Sequence, residues 1–70
     1  MQILTIQKYF PNKCVIRIFP ITSNRPEEMR VRRDGQLFLV EAFSKVVNGW
    51  IVLAEHRTEA RAIQDAENWY

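Results

Sequence analysis

Two dipeptides, Asp34-Gly35 and Asn48-Gly49, each stand between runs rich in apolar and β-branched residues. This is among the strongest local signals for a β-hairpin. A two-residue type I′ turn needs positive φ at both central positions, and Asp, Asn and Gly reach that region with least strain. Two such turns in succession imply three consecutive antiparallel strands. With Asp34-Gly35 at the centre of the first turn, Val31 faces Phe38 and Met29 faces Val40 on one side of the sheet. On the other side Arg30 faces Leu39, Arg32 faces Leu37, and Glu28 faces Glu41. With Asn48-Gly49 at the centre of the second, Val46 meets Ile51 and Ser44 meets Leu53 on the first side. Val47 with Trp50, Lys45 with Val52, Phe43 with Ala54, and Glu41 with His56 share the second. A bulge between residues 44 and 47 would exchange these assignments, because a slip of one residue turns every side chain over.

The flanks extend the meander. Residues 3–10 are β-branched and aromatic, Pro11-Asn12 suits a turn, and residues 13–21 return as a strand that Pro20 confines to an edge or a bulge. That return sets Tyr9 opposite Cys14 and Ile6 opposite Arg17. Residues 22–28, TSNRPEE, are polar and read as a loop. From Thr58 the period changes. Thr58 is a good N-cap, Glu59 suits the positive end of a helix dipole, and Ala62, Ile63, Ala66, Trp69 and Tyr70 fall on one helical stripe. Arg61, Gln64, Asp65 and Asn68 take the wet side. The expectation is one small α+β domain over residues 1–70: an antiparallel β-meander of about five strands with one C-terminal helix packed on one face.

Seventy residues hide only about 60% of the surface that the unfolded chain exposes, so such a domain is marginal without a staple. Cys14 and His56 are each the sole residue of their kind. An intrachain disulfide is therefore excluded, and the two fall far short of a zinc site. No metal or cofactor is expected. No apolar run approaches the ~20 residues that span a bilayer, and the first ten residues do not read as a secretory signal. With an unpaired cysteine, a reducing cytoplasm is the expected compartment.

Chemistry finds little footing. Nucleophilic catalysis needs a nucleophile, a base and usually a group that orients the base. The single histidine has only Cys14 or Ser44 as conceivable partners. Gly35 and Gly49 are isolated turn glycines rather than a phosphate loop, and Glu27-Glu28 is a solvated loop end. A pocket of several hundred Å³ is also hard to build in so short a chain. The expectation is a protein that is not an enzyme and has no small-molecule substrate.

The second sheet face is more informative. It combines Arg30, Arg32, Leu37, Leu39, Phe43 and Trp50, and a single helix can cover only one face of a sheet. The N-terminal hairpin could fold over part of it. Whatever stays uncovered would be apolar surface with arginine and tryptophan, the composition of a protein interface. These six residues are the expected partner-binding set, for a protein partner or for self-association as a homodimer. Free-standing domains of this size include inhibitors and adaptors, phage-encoded blockers of host defence enzymes among them. A second reading is a nucleic-acid-binding sheet, with Lys8, Arg17, Arg30, Arg32, Arg33 and Lys45 on phosphates and Trp50 or Phe43 stacking on bases. In architecture alone, a sheet followed by a helix resembles the small arm-binding domains of tyrosine recombinases. A net charge of only +2 and the mixing of Arg with Leu favour the protein partner.

Overall fold

The computed structural model describes residues 14–70. The strand expected over residues 3–10, the turn at Pro11-Asn12 and the pairings of Tyr9 and Ile6 lie outside the described residues. The elements in chain order are β1 (Val15–Phe19), β2 (Met29–Asp34), β3 (Leu37–Ser44), β4 (Gly49–His56) and α1 (Glu59–Glu67). The strands form one antiparallel sheet in the order β1-β2-β3-β4. The α+β meander with a C-terminal helix is thus present, with four described strands against an expectation of about five. No helix among the described residues is long and apolar enough to cross a membrane.

Both hairpins sit where the glycine signals put them, but neither turn is centred on the expected pair of residues. Asp34 pairs with Leu37, so the first two-residue loop is Gly35-Gln36 rather than Asp34-Gly35. Gly35 has φ +64° and Gln36 has no positive φ, the glycine-first pattern of a type II′ turn rather than of type I′. The slide moves the register by two residues. Val31 now faces Val40, Arg32 faces Leu39, and Arg30 faces Glu41. Two is the period of a strand, so every side chain keeps its expected face while acquiring a new neighbour.

The second hairpin closes with the pair Ser44–Gly49 around a four-residue loop, 45–48, whose last residue, Asn48, has φ 54°. Asn48 thus supplies the left-handed residue that Asn tolerates better than most. Phe43 faces Trp50 and Glu41 faces Val52, in place of the expected Ala54 and His56. The register then shifts between Val40 and Glu41, with Leu53 as the extra residue of β4. Beyond this bulge Ala54 faces Val40 and His56 faces Phe38, so both have crossed to the opposite side of the sheet from Trp50. A second irregularity in β1, at Ile16, lets Arg17 and Phe19 face Val31 and Met29.

That opposite side carries the core. Phe19, Met29, Val31, Val40 and Ala42 are buried with Ala62 and Ala66 of α1, and Ile16, Phe38, Leu53, Ala54 and Ile63 pack around them. The helix begins as its sequence suggests: the Thr58 hydroxyl accepts from the Arg61 amide at 3.3 Å. Ala62 and Ala66 are one turn apart and carry single methyl groups, which lets the helix axis lie close to the strands. The expected stripe ends sooner than its pattern. Trp69 and Tyr70 lie beyond the helix and are exposed rather than packed on the core. The Tyr70 hydroxyl instead reaches Glu27 at 3.2 Å. At the far end of β2, Cys14 is exposed with φ 61°, and its carbonyl accepts from the Arg33 amide at 2.9 Å.

Candidate functional site

The face away from the core holds the residues that sequence reasoning singled out, and it holds them inside. Glu41 is fully buried (0% exposed) and Arg30 nearly so (1%). Their opposition across β2 and β3 gives a 2.7 Å bond from Arg30 Nε to Glu41 Oε1. Arg32, one step diagonal, donates from Nη2 to Oε2 at 3.1 Å and from Nε at 3.2 Å. One carboxylate therefore takes charge-assisted bonds from two guanidiniums. In a dry setting such bonds are strong, but much of the gain offsets desolvation of the three ions. The Arg30 guanidinium also lies 4.0 Å over the Trp50 ring, and Trp50 meets Phe43 edge-on, with centroids 5.6 Å apart at 78°. The register slide creates this cluster, because it exchanges Leu39 for Glu41 opposite Arg30.

The expected partner-binding set is accordingly assembled on one face but largely withdrawn from solvent. Arg30, Arg32, Leu39 and Trp50 are buried, and Leu37 and Phe43 are half-buried. The expected phosphate-contacting set does not converge. Lys8 lies outside the described residues. Arg17 pairs with Glu67 at 3.6 Å on the surface, and Arg30 and Arg32 are bound to Glu41. Arg33 donates to the Gly35 carbonyl at 3.0 Å and lies over Phe38, and Lys45 is exposed in the second hairpin loop.

Two other places are more accessible. The first lies where loop 20–28 meets the tip of the β3–β4 hairpin. Here Ile21, Pro26, Phe43 and Val46 line a groove of about 320 Å³, with Glu27, Glu28 and Lys45 among its polar walls. Val46 is 94% exposed and Ile21 62%. The four-residue loop explains Val46: it sits at the turn, not opposite Ile51. Loop 20–28 is held in shape from within, since Thr22 and Arg25 exchange backbone bonds of 2.9 and 3.1 Å and the Thr22 hydroxyl accepts from the Asn24 and Arg25 amides. The Phe43 amide donates to the Glu28 carbonyl at 2.9 Å, tying the loop to β3. Composition alone hid this groove, because Ile21 reads as the end of a strand and Val46 as part of a sheet face. The missed signal is the polar loop that precedes β2, whose end must lie beside the β3–β4 turn in any meander.

The second place is the seam between β4 and α1. His56, carried to the core side by the Leu53 bulge, donates from Nε2 to Asp65 Oδ2 at 2.7 Å. Both groups are half-buried, and Asp65 is thus removed from the fully wet side where helical periodicity places it. A hollow of about 300 Å³ lies against the pair, lined also by Arg61, Gln64 and Asn68. No serine or cysteine borders this hollow, and the nearby Thr58 hydroxyl caps the helix. Among the described residues no group of three or more His, Cys, Asp or Glu could hold a metal ion.

The chain was compared with family models, with curated proteins and with solved structures, and nothing in any of the three matches it, so its function is read from its own residues.

Proposed function

We propose that the protein is a non-catalytic protein-binding module of the inhibitor or adaptor type, and that it docks through the end of the sheet formed by Ile21, Pro26, Phe43 and Val46. One observation carries this reading. Two aliphatic side chains, Val46 and Ile21, are exposed to water and border the same groove as Pro26 and Phe43. A cluster of exposed apolar groups with a polar rim is the usual composition of an interface. The Arg/Leu/Trp face serves a different purpose in this reading: its buried ion cluster fixes the register of the strands that present the groove. Catalysis gains no support from the His56–Asp65 pair, which has no serine or cysteine beside it among the described residues. Phosphate recognition by the sheet gains none from Arg30 and Arg32, which are buried and bonded to Glu41.

The test uses the full chain as bait together with Ile21→Glu and Val46→Glu variants, both placed on exposed side chains. Quantitative capture from a cell extract and sedimentation of the purified chain are measured side by side. A bound protein, or a second copy, that is retained by the parent chain and lost from both variants supports the reading. Equal retention by all three, or a monomer that retains nothing, overturns it. Salt-dependent binding of a random duplex by the parent chain would instead favour nucleic acid.

A further inference from the structure

Seven arginines lie among the described residues, and five of them have an evident internal task. Arg17 pairs with Glu67, Arg25 donates to the Pro20 carbonyl, Arg30 and Arg32 bind Glu41, and Arg33 donates to the Gly35 carbonyl. The guanidiniums of Arg57 and Arg61 make no hydrogen bond or ion pair with the described residues, and both stand at one place. They border a hollow of about 560 Å³ at the end of β4, together with Leu37, Glu55, His56 and Thr58. Arg61 and His56 also line the neighbouring hollow with Gln64, Asp65 and Asn68, so the two hollows adjoin along the seam. Helical spacing explains the far wall. Residues 61, 64, 65 and 68 lie one turn apart on a single stripe of α1.

We propose that the larger hollow binds an oxyanion of the phosphate class, held as the phosphoryl group of a small ligand. The charges favour it. Around the larger hollow two guanidiniums face a single carboxylate among the described residues, the exposed Glu55, while Asp65 lines the neighbouring hollow and accepts from His56 there at 2.7 Å. The N-terminal end of α1, capped by Thr58 on the same hollow, adds to the field. Guanidinium forks match phosphate oxygens in pairs. Two of them suit a doubly charged group, whereas a carboxylate is satisfied by one. This site is separate from the proposed docking groove, with which it shares no residue.

The protein carries its own reporter, since His56 is the sole histidine of the chain. Its ring resonances are followed by NMR while inorganic phosphate is added at constant ionic strength, with acetate in a second arm. The expected result is a saturable shift with phosphate, weakened about tenfold or more in Arg57→Gln and in Arg61→Gln, as the loss of a charge-assisted bond requires. Both arginines are exposed, and unchanged amide dispersion shows that each variant is folded. Arg57 lies outside the helix, so its variant alone suffices if the other disturbs α1. A shift that never saturates, one of equal strength in Arg57→Gln, or one that acetate reproduces at the same concentration overturns the proposal.

Discussion

Glu41 has two buried guanidinium partners, so removing its charge leaves both without their shared counter-ion. Glu41→Gln is expected to cost about 3–5 kcal/mol, the usual penalty for breaking a buried ion pair from one side. For a domain this small that approaches the whole stability, and urea unfolding followed by circular dichroism would read it. The arginines and the glutamate are plain in the sequence, yet their meeting is not. It depends on Gly35 taking the first rather than the second central turn position. Tyr70 offers a second test at this scale. Partial desolvation, then its bond to the Glu27 carboxylate, raises its phenol above the ordinary 10.0, with Arg25 acting in the opposite direction. A raised value in the folded chain means that the protonated form is favoured there. The tie to Glu27 therefore holds below the ordinary value and is lost as pH rises through the folded one. Phenolate absorbance should show Tyr70 ionising at higher pH in the folded chain than in urea, and Tyr70→Phe should remove that difference.

Turns and caps were the most legible elements, because they depend on a few residues with special backbone chemistry. Gly35 has φ +64° and open space around its missing side chain. Gly35→Ala should therefore cost about 1 kcal/mol through backbone strain alone, with no steric share. Thr58→Ala should cost about 1 kcal/mol as the hydroxyl that accepts from the Arg61 amide disappears. Thermal melts of the two variants would measure both. The Leu53 bulge was not legible, since β4 carries no glycine or proline to announce it. Its consequence is large: it turns Ala54 and His56 toward the helix, so that His56 meets Asp65 instead of Glu41. Trp69 and Tyr70 continue the helical spacing in sequence, but the helix ends before them, and period alone does not mark that stop.

At the scale of the whole chain, the polar and apolar tasks are divided between the two ends of the sheet. Groove residues cluster where β2 begins and β3 ends, whereas Arg57 and Arg61 stand where β4 ends and α1 begins. Val46→Glu and Ile21→Glu touch neither the core nor the ion cluster. They should leave the unfolding free energy within about 0.5 kcal/mol of the parent, as exposed substitutions generally do. A larger loss in denaturant titration would mean that these side chains support the fold rather than a partner. The fold class followed from hydrophobic alternation and two glycine turns. The accessible surface did not, because it is composed of loop residues whose exposure depends on turn length, and a two-residue difference in the second turn decides whether Val46 is covered or bare.

Cys14 lies at the opposite end of β2 from the groove, beside Arg33, roughly 20 Å away by the rise of six strand residues. As the sole thiol of the chain, exposed to solvent, it is a ready attachment point for a maleimide linker. A chain immobilised through it would hold the end of the sheet that bears the groove away from the support.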